Sequence, residues 1–221
     1  MTKIQNKEFY HIQKLDFINK EWNVNNHYHI GSENNNFYRK LLNSLGSREF
    51  YDIPKVFLIR QLTDVLKLKP NKDERDYEKL FFESEQHLFQ LEAIVDDVMV
   101  SFKQYLKWIQ EEIFEKVRLE KFPDLPSRQK CLWICSLDDL PKWLKIFKGS
   151  ENKILKIRVT GKIHKTDGLL IDSDTYFINE FEKRAIDYWT GKIEHKDEIE
   201  FLFHGDLEVL NVYDSVNEIK N

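Results

Sequence analysis

Apolar residues recur along the chain with two different periods, and each period predicts a type of element. From Leu91 to Val117 they recur every three or four positions with no Gly or Pro between them, which predicts one long amphipathic helix with a buried stripe. The stretch 54–70 begins and ends with Pro and is also predicted to be helical. Shorter helices are predicted over 37–45, 137–147 and 178–190.

Strand patterns lie near both ends of the chain. In the stretch 8–17, EFYHIQKLDF, neither alternating face is cleanly apolar, which is typical of a strand that lines a cleft. A short apolar strand is predicted after Ser127, and a half-buried strand over 152–164. The stretch 199–214 predicts two strands that meet at Gly205, and the Asn-rich stretch predicts a loop over 23–36.

Together these elements predict an α+β fold. The N-terminal half is expected to be largely helical apart from its first strand, and the C-terminal half to consist mostly of strands separated by helices. The first strand is expected to pair into the later sheet. No composition shift marks a linker, so the chain of 221 residues is predicted to form one domain, 1–221.

Composition narrows the class of protein. With 41% hydrophobic and 14% aromatic residues the chain can bury a core, and a net charge of -4 argues against a surface that binds a phosphate backbone along its whole length. A local basic groove stays open as an alternative. Neither a long apolar span nor a signal-peptide pattern occurs, which predicts a cytoplasmic protein with no membrane contact.

The cysteine and histidine spacings favour no metal site. Cys131 and Cys135 would lie on one face of a strand, too far apart for an easy disulfide, and are predicted to be buried free thiols. No second Cys pair exists, and His27 and His29 lack a third ligand at motif spacing.

Two carboxylates, Glu198 and Glu200, precede the last apolar run. Two positions apart on a strand they would project from one face, and most such pairs are a solvated edge. The stretch 198–205, however, reads Glu-x-Glu-x-Leu-Phe-x-Gly, which resembles the third motif of the ADP-ribosyltransferase superfamily. In those enzymes the second glutamate binds the nicotinamide ribose of NAD and stabilises the cation that forms when nicotinamide leaves. The resemblance assigns this catalytic role to Glu200 and places Glu198 nearer the acceptor.

The same resemblance suggests residues for the first two motifs. His11, in the triplet YHI of the first strand, is similar to the opening of the DNA-targeting ADP-ribosyltransferase toxins and would contact the adenosine ribose or the nicotinamide amide. His29 is a competing candidate, and a structural imidazole is the alternative role for His11. Ser127 would brace the nicotinamide side, unless it is only a turn residue after Pro126.

Two further residues complete the predicted cofactor site. Arg128 offers a planar fork suited to the pyrophosphate of NAD, and Tyr188 could stack on nicotinamide or acceptor, although rings on a helix are usually core. The stretches 126–133 and 184–191, with the Glu-x-Leu-Phe-x-Gly strand, also resemble a bacterial family of unknown function grouped with this superfamily. No Rossmann or Walker phosphate motif occurs.

The resemblance therefore implies a mono-ADP-ribosyltransferase that uses NAD as co-substrate, with a split mixed or antiparallel sheet whose cleft holds the dinucleotide. It implies a bacterial toxin or anti-phage effector that modifies nucleic acid or protein and is held inactive by an antitoxin protein. A different interpretation is a non-catalytic protein that binds a partner protein through the long helix 91–117.

Overall fold

The computed structural model describes residues 1–15, 22–46, 74–147, 151–171, 178–195 and 198–219. The chain divides into two compact units, Met1–Lys40 with Ile109–Asn221, and Leu41–Trp108. The single domain over 1–221 stays a prediction, and the predicted helix 54–70 lies outside the described residues.

The larger unit contains an antiparallel sheet of five strands. The strands are β1 (Thr2–Lys14), β2 (His27–Ile30), β3 (Leu132–Ile134), β4 (Asn152–Asp167) and β5 (Ile199–Tyr213). The order is β1–β4–β5–β2, and β3 also pairs with β5. The first strand therefore does pair into the later sheet, as predicted.

Five α-helices accompany the sheet in the described parts of the chain, and the protein is α+β as predicted. They are α1 (Asn36–Gly46), α2 (Glu74–Lys121), α3 (Leu140–Ile146), α4 (Ile178–Thr190) and α5 (Val216–Ile219), and a 3-10 turn at Gly168–Leu170 follows β4. In the ranges that the structure describes, no helix has the length and apolarity needed to cross a membrane.

The smaller unit holds the end of α1 and the first part of α2. Several apolar side chains of α2 are solvent-exposed there, with Phe89 exposed by 74% of its surface. Phe102, which the sequence pattern placed in the buried stripe, is also exposed. The prediction of one continuous helix through Leu91–Val117 is confirmed. The prediction that Phe102 is buried is wrong.

Two strand predictions are wrong for a physical reason. The stretch His27–Ile30, predicted as loop, is an edge strand of only four residues whose pairing is supplied by β5. Its alternation is limited to Tyr28 and Ile30, which is too short to indicate a strand within an Asn-rich stretch. The predicted break at Gly205 does not occur, since β5 continues through it. Gly205 lies opposite Gly161 of β4, and this glycine pair permits a close backbone approach instead of a turn.

Replacing Gly205 by alanine is expected to lower the free energy of unfolding by about 2–4 kcal/mol. A Cβ atom there would lie 2.3 Å from Thr160 O and 2.7 Å from the Cα of Gly161, at a φ of +140°. Urea denaturation measures the loss. Gly191→Ala is the control, because this glycine has a positive φ after α4 but its Cβ would come no closer than 3.2 Å to another atom, so only about 1 kcal/mol should be lost. Equal losses in the two variants would contradict the close-approach argument.

Alternation along β5 decides which side chains meet the helices. Leu202 packs against Phe114 of α2 and Trp189 of α4, whereas Phe203 joins the core cluster on the other side with Ile157. Glu200 is two positions from Leu202 and therefore shares its face. A carboxylate is thus placed on the helix-covered side of the sheet.

Candidate active site

A group of polar and aromatic side chains surrounds Glu200 at the start of β5. We call it the Glu200 cluster. Each member comes from a different element: α2, the segment before β3, β3 itself, α4 and β5. The members are Glu111, Arg128, Trp133, Tyr188 and Glu200.

Arg128 binds both carboxylates of the cluster. Its Nη1 lies 2.6 Å from Glu200 Oε2, and its Nε and Nη2 lie 3.2 and 3.3 Å from the Glu111 oxygens. The side chains of Arg128, Glu111 and Glu200 are only 5%, 3% and 13% exposed. Burial disfavours the charged guanidinium, but the two carboxylates outweigh burial and raise the pKa of Arg128. The cluster holds one cation and two acids.

Three donors converge on one oxygen of Glu200. The Tyr188 hydroxyl donates to Oε2 at 2.8 Å and Trp133 Nε1 lies 3.4 Å from it, in addition to Arg128. Burial is the main cause that raises the pKa of Tyr188, so the phenol stays protonated and able to donate. The other oxygen, Oε1, lies against Gly168, where an added Cβ would be 3.1 Å away. Within the described part of the chain Oε1 accepts no hydrogen bond, so it is the oxygen that a ligand can meet.

His11 is connected to this cluster through Trp133. Its Nδ1 donates to Trp133 O at 2.9 Å, and its ring contacts the ring of Trp22. His29, the competing candidate, instead pairs with exposed Asp206, six residues along β5 from Glu200 and thus roughly 20 Å away. Of the two histidines, His11 contacts a member of the Glu200 cluster, the backbone of Trp133, and His29 does not.

Ser127 and Arg128 have different contacts from those that the sequence predicted. Ser127 is buried, and its hydroxyl donates to Glu115 Oε2 at 2.9 Å, which anchors the segment before β3 onto α2. All three guanidinium nitrogens of Arg128 face Glu111, Tyr188 or Glu200. This arrangement suits a residue that orients Glu200 and leaves little of the fork for a pyrophosphate.

The two predicted acids have opposite environments. The side chain of Glu198 is exposed just before β5, and its backbone oxygen accepts a hydrogen bond from Gly168 N at 2.6 Å. The side chain of Glu200, in contrast, is only 13% exposed.

Tyr188 belongs to the Glu200 cluster, and its hydroxyl donates to Glu200. These hydrogen bonds fix the ring, so it is not free to stack on a ligand. Its neighbour Trp189 is a core residue whose Nε1 donates to Phe114 O.

Two residues of the cluster were not identified from the sequence. Glu111 lies on α2, outside every stretch that carries a resemblance, and Trp133 lies on β3 as the last residue of the stretch 126–133, with no role assigned to it from the sequence. The available signal was spacing: Glu111, Phe114 and Arg118 follow one another at three and four positions and all three are buried. The cysteines behave as predicted, since Cys131 and Cys135 are free and buried.

Stability is expected to fall by about 1–3 kcal/mol for each of two histidines as the pH is lowered from about 6.5 to about 4. Burial lowers the pKa of His11 and of His204 to about 4. The pKa values of the two histidines in the folded protein lie below the ordinary histidine value of about 6.5, so the unfolded chain takes up protons first as the pH falls. Their full contribution to the free energy of unfolding is therefore present above about pH 6.5 and is lost as the pH falls toward about 4. Urea midpoints at pH 7, 6, 5 and 4.5 measure the loss, and a constant midpoint would contradict it.

Comparison with known proteins gives one family. The family described as Protein of unknown function (DUF2441) matches residues 9–218, a span that includes the whole Glu200 cluster. No curated protein matches the chain.

Proposed function

We propose that this chain, which belongs to the DUF2441 family, is an NAD-dependent mono-ADP-ribosyltransferase in which Glu200 stabilises the cationic ribose. One observation carries the proposal: the Glu200 carboxylate is held by three donors on Oε2, while Oε1 accepts no hydrogen bond from the described residues. The resemblance of residues 198–205 to the third superfamily motif points to the same side chain.

The chemistry requires a carboxylate of this kind. When the bond between the ribose and nicotinamide breaks, the electron pair leaves with nicotinamide and positive charge develops on the anomeric carbon. A carboxylate that is already oriented lowers this barrier without reorganising. Partial burial strengthens the interaction, because charges attract more strongly where water is scarce. The second acid, Glu111, keeps the charge of Arg128 from cancelling that of Glu200.

The remaining predicted residues receive roles within this proposal. Arg128 and Tyr188 position Glu200, and His11 supports Trp133 while facing the adenosine ribose or the nicotinamide amide. Ser127 holds the segment that carries Arg128, and exposed Glu198 meets the acceptor. The proposal also makes a requirement of the fold. The observed antiparallel sheet would have to be a split sheet of ADP-ribosyltransferase type, with NAD bound in its cleft.

The biological setting is inferred by the same resemblance. The enzyme would be a bacterial toxin or anti-phage effector acting in the cytoplasm, inhibited by an antitoxin protein. Its acceptor is nucleic acid or protein. Net acidity opposes extended nucleic-acid binding, but a single-stranded segment needs only a short positive groove with aromatic rings.

The experiment that tests the function is nicotinamide release from NAD by the purified protein with a cell lysate. The wild type should release nicotinamide, and Glu200→Gln should release almost none. Glu208→Gln is the matched control, since Glu208 lies on the same strand and pairs with Arg158 at 2.8 Å on a partly exposed surface. Labelled NAD offered separately to nucleic-acid and protein fractions then identifies the acceptor class. A wild type that releases no nicotinamide with either fraction would contradict the proposal.

A second candidate function rests on α2. Exposed apolar side chains along its first part, Phe89, Met99, Val100 and Phe102, favour a helix that binds a protein partner without catalysis. The same assay separates the candidates, because this function predicts no nicotinamide release by any variant.

A further inference from the structure

A stripe of exposed side chains runs along α2 within the smaller unit. Asp96 lies three and four positions before Met99 and Val100, and Lys103 lies four and three positions after them. Residues at these spacings share one side of a helix. All four side chains are exposed, Met99 and Val100 by 45% each. We call these four residues the α2 stripe. Exposed apolar residues rimmed by charged ones are typical of a surface that contacts another protein.

The charges of the α2 stripe are arranged symmetrically about its two apolar residues, with opposite signs. Asp96 and Lys103 are equally far from the midpoint between positions 99 and 100, and in the sequence Glu92 and Lys107 repeat this arrangement four positions further out. One half of the pattern is therefore acidic and the other half is basic. Each half also places like charges four positions apart, which slightly destabilises an isolated helix. In the described part of the chain, neither Asp96 nor Lys103 forms an ion pair.

A second copy of the same helix supplies the missing opposite charges when it lies antiparallel. Around a two-fold axis between positions 99 and 100, position 96 of one chain faces position 103 of the other, and position 92 faces position 107. Each acid then meets a lysine, and the apolar residues meet at the axis. A parallel pair instead places acid against acid and lysine against lysine, which is repulsive. The charge pattern therefore selects the antiparallel orientation.

We propose that the α2 stripe is a self-association surface, at which a second copy of this chain binds in antiparallel orientation. Its apolar centre is small, so the association is weak and depends on protein concentration. Its ion pairs are exposed to solvent, so added salt weakens them. This inference is independent of the proposed function, because it concerns the smaller unit and involves neither NAD nor Glu200.

Sedimentation equilibrium of the full chain at low ionic strength tests the proposal. The wild type should form a dimer whose fraction rises with protein concentration and falls when salt is added. Asp96→Lys and Lys103→Asp each place like charges opposite one another in the dimer. Each should raise the dissociation constant about 10-fold, the combined effect of two symmetric surface pairs.

Exchange of the two charges separates an effect on association from an effect on folding. The variant that carries both substitutions should regain the wild-type dissociation constant, because each acid again faces a lysine. A mixture of the two single variants should form a heterodimer for the same reason. Val100→Ser should weaken association, and Leu119→Ser is its matched control, since Leu119 is also exposed on α2 but lies outside the α2 stripe.

Three results would overturn the proposal. The first is a wild type that stays monomeric at every concentration in low salt. The second is a dimer whose dissociation constant is unchanged by both charge reversals. The third is a monomeric wild type that captures a different protein from a lysate and loses this capture in the charge reversals, since that protein would then occupy the α2 stripe. The assay of nicotinamide release is unaffected by any of these outcomes.

Discussion

Glu200→Gln is expected to reduce the rate of nicotinamide release from NAD by about 10²- to 10³-fold, the loss seen when one oriented electrostatic group is removed from an active site. The glutamine oxygen can still accept from Arg128 and Tyr188, so the local structure is retained while the negative charge beside the ribose is lost. Initial rates of nicotinamide release at saturating NAD measure the effect. Far-ultraviolet circular dichroism checks that the variant is folded.

Two further variants make this prediction specific. Tyr188→Phe removes one of the three donors to Oε2 but keeps the carboxylate, so it should reduce the rate by about 10-fold, the equivalent of one hydrogen bond of about 1.4 kcal/mol. The Glu208→Gln control should retain the wild-type rate. If Glu200→Gln and the control released nicotinamide equally fast, Glu200 would have no part in catalysis.

Arg128→Met is expected to lower the free energy of unfolding by about 3–5 kcal/mol, because it leaves two acids, Glu111 and Glu200, with no cation beside them. Urea denaturation at pH 7 measures this loss. Arg158→Met is the matched control: Arg158 also pairs with two acids, Glu8 and Glu208, but its side chain is 42% exposed, so the loss should stay below about 1 kcal/mol.

A compensating substitution separates charge from packing. Adding Glu111→Leu to Arg128→Met removes one of the two stranded carboxylates, so the double variant should be more stable than Arg128→Met alone. If stability falls further instead, the loss in Arg128→Met comes from missing side-chain contacts and not from unpaired acids.

Most of the elements could be predicted from the sequence because they depend on local periodicity. The stripe through Leu91–Val117 predicted the middle of α2, and Gly191 marked the end of α4. The errors arose where pairing with a distant strand replaced a local pattern. Edge strand His27–Ile30 depends on β5, and Gly205 supports a close contact with Gly161 where the sequence suggested a turn.

The candidate site divides in the same way. Residues within a motif could be selected from the sequence, which is how Glu200, His11, Ser127, Arg128 and Tyr188 were chosen. Their contacts could not, because Arg128 and Glu200 are 72 positions apart and Arg128 and Glu111 are 17 apart. The sequence suggested that Arg128 binds a pyrophosphate, whereas in the folded chain it binds the carboxylates of Glu111 and Glu200, which come from distant segments.

The sequence by itself determined most of the stretches that become helix or strand, the α+β class, and the position of two acids at the start of the last strand, because these follow from side-chain order along one segment. Only the tertiary structure decided that the Glu200 side chain is 13% exposed whereas Glu198 is exposed, that Glu111 completes the cluster, and that His195 faces Asp167. The physical reason is that burial and hydrogen bonding depend on which segments the folded chain brings together, and that information is not carried by any one segment.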